Sequence, residues 1–175
     1  GLILFSSGTS GAPKAMVQNF GKLLESYESR HESDLAMLAL LGFDHIGGLN
    51  TLLNTLAAGS LLAVPASRSP ADVAATIARH HVAILPASPT FLNLLLAAGV
   101  AGDLASLRVI TYGTEPMPES TLRRFHELFP SIKLQQTYGL SEVGILRSQS
   151  RGSDSLWVRL GGEVAPLLTE LPASR

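Results

Sequence analysis

The sequence has 175 residues, 46% of them hydrophobic and 15% charged, which fits one globular domain with a hydrophobic core and excludes a disordered chain. Thirteen basic residues nearly balance fourteen acidic ones, so the chain offers no broad positive field to a nucleic acid. It contains no cysteine, which excludes disulfides, thiolate catalysis and zinc–thiolate sites and suits a reducing compartment. We therefore expect a cytoplasmic protein.

The longest apolar stretches lie at residues 52–65 and 91–100, and polar side chains interrupt both of them. Each stretch is shorter than the roughly 20 apolar residues that a membrane helix needs. We therefore expect no membrane span.

Short apolar runs and helical patterns alternate along the chain. Strands are predicted where apolar residues are continuous, at residues 2–5, 35–41, 61–64, 82–85, 107–112 and 132–135. Helices are predicted where apolar residues recur at helical spacing, from Asn19 to residue 28, at 49–56, from Ser69-Pro70 onward, at 89–98 and at 118–129. This alternation predicts an α/β fold with a mostly parallel sheet, helices on both faces and ligand-binding loops at the carboxyl ends of the strands. The runs 2–5 and 35–41 are suited to burial on both faces, and the segments that would cover them are expected to lie outside this chain.

A loop rich in glycine and hydroxyl groups follows the first strand and reads Ser6-Ser7-Gly8-Thr9-Ser10-Gly11-Ala12-Pro13-Lys14. Glycines let backbone N–H groups approach an anion, and the hydroxyls add donors, so the loop is a candidate phosphate cradle. It lacks the Gly-Lys-Ser/Thr ending of the common P-loop. A flexible surface loop is the alternative interpretation.

A second candidate segment follows the predicted strand 132–135 and reads Gln136-Thr137-Tyr138-Gly139-Leu140-Ser141-Glu142. Its position at a strand end suits a ligand loop with an aromatic face for a base, a hydroxyl for phosphate and a carboxylate for a hard cation. A tyrosine–glycine turn with a solvated serine and glutamate is the alternative.

Together these two segments resemble the adenylate-forming enzymes, a family of acyl- and aryl-CoA synthetases, peptide-synthetase adenylation domains and firefly luciferase. The first matches the family's phosphate loop, including its unusual Pro-Lys ending, and the second matches its Tyr-Gly-x-Thr/Ser-Glu motif. Two further segments stand in the expected order between them. They are Asp44-His45-Ile46-Gly47-Gly48, which resembles the substrate-pocket motif, and Tyr112-Gly113-Thr114-Glu115, which stands where the family has its adenine-side loop.

The resemblance implies a role for each matching residue. The loop Ser6, Ser7, Gly8, Thr9, Ser10, Gly11 would hold the ATP phosphates, and Lys14 would offset charge on the departing pyrophosphate. Gln136, Thr137, Tyr138 and Gly139 would form the adenine side, with Tyr138 stacked on the base and Gly113, Thr114 and Glu115 lining its other side. Ser141 would reach the α-phosphate. Glu142 would hold Mg²⁺.

The predicted substrate pocket contains Asp44, His45 and Gly48. The resemblance places His45 near the acyl group, as a gate between the two half-reactions, but a histidine before a helix also caps or packs. Asp44 stands where amino-acid-activating relatives bind a substrate ammonium, but it is equally an N-cap candidate. Neither residue settles the substrate.

The sequence departs from the family at both ends. It begins at Gly1 without an initiator methionine, and it lacks the later Tyr-x-Thr-Gly-Asp segment, the hinge and the C-terminal domain with its catalytic lysine. We therefore interpret residues 1–163 as part of an AMP-binding domain and 164–175 as a non-matching tail. As an incomplete fragment, the chain is expected to need the missing segments, or association, for catalysis.

Smaller departures lie within the motifs. Ala15 replaces the usual glycine, and Ser141 replaces the commoner threonine. The adenine-side loop also differs from the usual Gly-Ala-Pro type, which puts the contacts of Thr114 and Glu115 in doubt.

The resemblance implies an AMP-forming acid–thiol ligase that uses ATP and Mg²⁺ on a small-molecule carboxylic acid. CoA or a phosphopantetheine carrier protein is the expected acceptor. The leucine-rich surroundings of the pocket favour an acyl or aryl acid, as in fatty acid metabolism. An amino-acid-activating domain and a non-catalytic nucleotide-binding or interaction module are the alternatives.

Overall fold

The computed structural model describes residues 1–6, 14–140 and 144–161. Its strands are β1 Leu2–Ser6, β2 Lys14–Gln18, β3 Met37–Leu38, β4 Leu62–Ala63, β5 Ile84–Ala87, β6 Val109–Tyr112, β7 Lys133–Gln136, β8 Tyr138–Leu140, β9 Gly144–Ser150 and β10 Val158–Gly161. Its helices are α1 Phe20–Glu25, α2 Ile46–Ala57, α3 Pro70–His80, α4 Pro89–Ala98 and α5 Glu119–Leu128, with a 3₁₀ turn at Ala101–Leu104.

A five-stranded parallel sheet is the centre of the fold. Its strand order is β4-β3-β5-β6-β7, and every neighbouring pair in it is parallel. Parallel neighbours need a crossover, and a helix supplies it after each of the strands β3, β4, β5 and β6. The predicted α/β fold with a mostly parallel sheet is therefore confirmed.

The helices flank this sheet on two faces. Helix α4 contacts both α3 and α5, whereas α2 contacts β8 and β9. The chain moves in one direction across the sheet from β3 to β4 and in the other direction from β4 through β5 and β6 to β7. Because crossovers between parallel strands are right-handed, α2 lies on one face of the sheet and α3, α4 and α5 lie on the other. Side chains fully buried between the sheet and these three helices include Leu38, Leu85, Ile110, Val73, Ile77, Leu92, Leu122 and Phe125.

The small antiparallel sheet β10-β9-β8 docks on the edge strand β7 through serine hydroxyls. Ser150 Oγ accepts a hydrogen bond from Gln136 N (2.8 Å), and Ser148 Oγ donates one to the Gln136 carbonyl (2.8 Å). Ser153 Oγ accepts from Leu134 N (3.1 Å). Because an edge strand leaves its backbone groups unpaired, these hydroxyls take the place of the next strand.

The N-terminal run forms the expected strand, but it is not covered on both faces. Strand β1 pairs antiparallel with β2, which the sequence did not predict. Leu4 is buried, whereas Ile3 and Phe5 on the opposite face are 57% and 62% exposed. The described residues therefore cover one face of this strand and leave the other open, so its burial on both faces in the longer protein stays a prediction.

Other boundaries differ in places. Asn19 caps α1 as predicted, with its Oδ1 accepting from Lys22 N (3.1 Å), but the helix ends at Glu25 rather than at residue 28. The run 35–41 contains only a two-residue strand. Its burial alternates, with Ala36, Leu38 and Leu40 buried and the residues between them half-buried. The described residues thus cover one face of this run fully and the other in part.

No helix in the described part of the chain is long and apolar enough to cross a bilayer.

Two buried tyrosines differ in how their hydroxyls are satisfied. Tyr27 Oη donates to Asn50 Oδ1 (2.8 Å) and ties the turn after α1 to α2. The Tyr112 hydroxyl is buried without a hydrogen-bond partner among the described residues. Burial raises the pKa of both phenols, because it penalises the phenolate.

We expect Tyr112→Phe to leave stability at neutral pH unchanged or to raise it, because the buried hydroxyl has lost its hydration without gaining a partner. Tyr27→Phe, the matched control, should lower the free energy of unfolding by about 1 kcal/mol because it breaks a hydrogen bond. Denaturant unfolding of both variants measures this. An equal loss in both would contradict the unpartnered state of Tyr112.

The same variants have a pH signature. With the phenol pKa raised in the folded state, the folded protein retains protons that the unfolded chain loses above about pH 10, so stability falls as pH rises through that range. Tyr112→Phe should remove its share of this fall. Unfolding curves between about pH 8 and pH 11 provide the measurement.

Candidate functional site

Three strands of the parallel sheet end at the same level. Ala87 pairs with Tyr112, and Tyr112 pairs with Gln136; these are the last residues of β5, β6 and β7. The segments that follow, starting at Ser88, Gly113 and Thr137, therefore leave the sheet side by side. This is the edge at which open α/β sheets bind ligands.

Gly113 and Thr137 meet without room for a side chain between them. A Cβ on Gly113 would lie 2.6 Å from the Thr137 carbonyl oxygen and 2.8 Å from Thr137 Oγ1. The Tyr112 carbonyl accepts from Thr137 N (2.7 Å) and Oγ1 (3.1 Å). The loop after β6 and the start of the segment with Tyr138 are thus held together through the backbone, which explains the glycine in the first of them.

The next two residues of the β6 loop have different tasks. Thr114 has a φ of +70°, a left-handed conformation that is uncommon for a residue other than glycine. The Glu115 carboxylate accepts from Thr90 N (3.2 Å) and Thr90 Oγ1 (2.5 Å), at the first turn of α4. The resemblance places Glu115 at the adenine side, and in the structure its carboxylate is bonded to the first turn of α4.

Gln136 and Tyr138 also lie at this edge. Gln136 is bonded through its backbone to Ser148 and Ser150, and its side-chain Oε1 is buried without a partner among the described residues. Tyr138 begins β8 and is 39% exposed, so part of its ring is open to a ligand. Gly139 follows it and is exposed as well.

The predicted substrate-pocket residues lie on the loop between β3 and α2. His45 is the N-cap of α2, and its Nδ1 accepts from Gly47 N (3.1 Å), which leaves the ring proton on Nε2 in the neutral form. The capping interpretation of His45 is thus confirmed, and that of Asp44 is wrong. Asp44 is exposed. Gly48 packs so closely that a Cβ would lie 2.0 Å from the Gly42 carbonyl oxygen.

The two remaining motifs lie at the ends of hairpins whose stems are described. Ser6 pairs with Lys14 at the end of the β1–β2 hairpin, so the first loop begins and ends at one place. Leu140 pairs with Gly144 in the β8–β9 hairpin in the same way. Ser7, Gly8, Thr9, Ser10 and Gly11 lie outside the described residues, as do Ser141, Glu142 and the tail 164–175.

The structure brings the adenine-side loop and the Tyr138 segment together, and it packs α2, which follows Asp44 and His45, against β8 and β9. In the described ranges no three acidic or histidine side chains gather as a metal site, and the predicted ligand Glu142 lies outside them. Sequence reasoning missed Thr90, Ser148 and Ser150. The Ser-Pro-Thr start of α4 and the serine-rich stretch that begins at the end of β9 were their visible signals.

Comparison with known proteins gives one family. A family model described as AMP-binding enzyme matches residues 2–166. The chain is 30% identical over 168 residues to 4-coumarate–CoA ligase-like 6 of Arabidopsis thaliana, covering 88% of this chain and 30% of that protein. It is 29% identical over 152 residues to 4-coumarate–CoA ligase 3 of Oryza sativa subsp. japonica, covering 80% of this chain and 27% of the relative.

Solved structures agree on the fold. The luciferase-like enzyme of the mealworm Zophobas morio superposes with a TM-score of 0.71 at 26% identity, over 82% of this chain and 35% of that one. O-succinylbenzoate CoA synthetase of Bacillus subtilis, solved with ATP and a magnesium ion, gives 0.62 at 26% identity, over 79% and 30%. The chain spans less than a third of the length of the curated relatives named here. Because the family match runs through nearly the whole chain and the parallel sheet has the fold of these enzymes, the protein belongs to the AMP-binding enzyme family.

Proposed function

We propose that this chain forms the nucleotide side of an enzyme that activates a carboxylic acid as an acyl-adenylate. The observation that carries the proposal is the common level of the β6 and β7 ends, which sets the backbone of Gly113 against Thr137 beside the exposed ring of Tyr138. A base can stack on such a ring while its edge meets backbone groups. The Bacillus synthetase was solved with ATP, which supports the assignment.

We assign the phosphates to the hairpin loop between Ser6 and Lys14. Its ends, Ser6 and Lys14, are cross-strand partners, and its glycines and hydroxyls are the residue types that can present backbone N–H and O–H donors to an anion. Lys14 opens β2 at the end of this turn and would offset charge on the leaving pyrophosphate. Ser141 is assigned to the α-phosphate.

The proposed reaction needs no general base. An ionised carboxylate oxygen of the substrate forms a bond to the α-phosphorus, the bond to the bridging oxygen breaks, and pyrophosphate leaves with the electron pair. A carboxylic acid has already lost its proton at neutral pH, so positioning and charge compensation supply the rate enhancement. Glu142 would hold Mg²⁺, which would supply positive charge against the phosphates.

The acceptor step would follow on the same site. A thiolate, from CoA or from a carrier-protein phosphopantetheine, attacks the acyl carbonyl and AMP leaves. The curated relatives named above are CoA ligases by name, which supports CoA. We assign His45 to the gate between the half-reactions; its Nδ1 accepts a hydrogen bond from Gly47 N at the start of α2. The cytoplasmic location and the domain boundary at residue 163 stay predictions.

An aryl or acyl acid is the proposed substrate, since similar proteins are named for 4-coumarate and O-succinylbenzoate. One observation favours an amino acid as the second candidate. Asp44 is exposed and does not cap α2, so its carboxylate remains available to a substrate ammonium.

ATP–pyrophosphate exchange in the natural protein that carries this sequence tests the proposal. Exchange should require Mg²⁺ and should respond to one class among aromatic, fatty and amino acids. Exchange stimulated only by an amino acid would transfer the assignment to the second candidate. Absence of both exchange and Mg-dependent ATP binding would favour a non-catalytic interaction module and overturn the proposal.

For Glu142→Gln we expect exchange to fall by on the order of a hundredfold, because the variant keeps the shape and loses the charge that holds the cation. Glu127→Gln, on the exposed side of α5, is the charge-matched control and should exchange normally. Glu142 is not the metal ligand if its variant stays within about twofold of the wild type.

Lys14→Ala should lower turnover more than it raises the Michaelis constant for ATP, because charge builds on pyrophosphate in the transition state. Lys133→Ala is the control, since Lys133 is the first residue of β7 and the candidate loops follow the last residues of β5, β6 and β7. Weak ATP binding with normal turnover would show that Lys14 only docks the nucleotide.

A further inference from the structure

The contact between Glu115 and Thr90 completes the start of helix α4. Pro89 has no N–H, Phe91 N donates to Ser88 Oγ (3.2 Å), and Leu92 N donates to the Ser88 carbonyl (3.0 Å). The Thr90 N–H is the donor that Ser88 leaves over, and Glu115 Oε2 accepts from it. A carboxylate is favoured there because the helix dipole makes this end positive.

Glu115 directly follows a residue that needs restraint. Thr114 is β-branched and has a φ of +70°, and such a residue keeps the left-handed conformation only where its surroundings enforce it. On the near side, Gly113 is pressed against Thr137. On the far side, Glu115 is bonded to Thr90. The loop is thus anchored at both ends, once on β7 and once on α4.

We propose that Glu115 is a positioning residue of the nucleotide site: by bonding to the first turn of α4 it holds Gly113 and Thr114 in the conformation that receives the base, without contacting the nucleotide. This rests on the proposed function, because the loop is assigned to the adenine side. In this proposal Glu115 anchors the loop after β6 rather than lining the pocket. Thr90, on a separate helix, is the other half of that anchor.

An anchoring role for Glu115 predicts a specific pattern in the affinities of adenine ligands. If loss of the anchor lets the loop populate conformations that do not receive the base, every adenine ligand loses affinity by the same factor, which is the fraction of competent loop. A carboxylate that faced the phosphates would act differently. Its removal would relieve repulsion and raise the affinity for AMP and Mg·ATP relative to uncharged adenosine, because the effect scales with ligand charge.

The experiment titrates adenosine, AMP and Mg·ATP into the natural protein that carries this sequence and into its variants. Glu115→Ala should weaken all three by one common factor of about two- to thirtyfold, the range that a lost capping contact produces. Glu115→Gln retains an acceptor oxygen and should recover part of the affinity. Thr90→Val should weaken binding in the same direction, and the double variant should lose less than the product of the two single effects, because both remove one contact.

Glu119→Gln is the matched control. Glu119 lies four residues further on, is exposed, and pairs only with Arg123 on its own helix among the described residues (2.7 Å), so all three affinities should stay unchanged. Backbone hydrogen exchange at Thr90 should accelerate in Glu115→Ala and not in the control.

Three outcomes would overturn the proposal. A change in affinity that grows or reverses with the number of phosphates would mean that Glu115 acts on the ligand charge. Unchanged affinities in a folded Glu115→Ala variant would mean that the anchor does not position the loop. If Glu115→Ala fails to fold, unchanged affinities in Glu115→Gln and Thr90→Val would mean the same. Wild-type protein that binds none of the three ligands would overturn the proposed function as well, which separates that failure from the first two.

Discussion

The register of three parallel strands sets the geometry of the candidate site. Because Ala87, Tyr112 and Gln136 stand side by side, the chain leaves the sheet at one level after each strand, and residues distant in sequence become neighbours. Gly113 meets Thr137, and Glu115 reaches Thr90 across the gap to α4. A shift of one strand by a single residue would also reverse which side chains face the core, so the same register that buries Ile110 and Leu134 places these loops.

Unpaired backbone groups explain the other contacts around the site. Edge strand β7 has serine hydroxyls where a further strand would pair, and the first turn of α4 has Ser88 and Glu115 where the helix has no internal partner. His45 has the same task at α2. Ser150, Ser153 and Glu115 bond to backbone groups more than ten residues away in the sequence. Ser88 and His45 bond to groups within three residues. Composition therefore indicated that such residues were present, and folding decided which donors they met.

Helix α2 shows how an apolar pattern can mislead about burial. Its leucines recur at helical spacing, yet the buried positions are Ile46 and the small residues Gly48, Thr51 and Thr55, whereas Leu56 is 68% exposed. The threonine hydroxyls bond to carbonyls one turn back, which lets them enter the interior without an unsatisfied donor. Hydrophobic periodicity identifies the faces of a helix. A helix that packs close to its neighbours does so with the face that carries small residues.

Local patterns were enough for the order of elements, the parallel sheet, the caps at Asn19 and Ser69, and the family, because each depends on spacing or on a short motif. They also predicted that Gly113 and Tyr138 belong to one region. They did not predict the serine docking of β9, the left-handed Thr114 or the bond from Glu115 to α4. Those depend on distances between separate elements, which exist only after the strands have paired in register and the helices have packed against them.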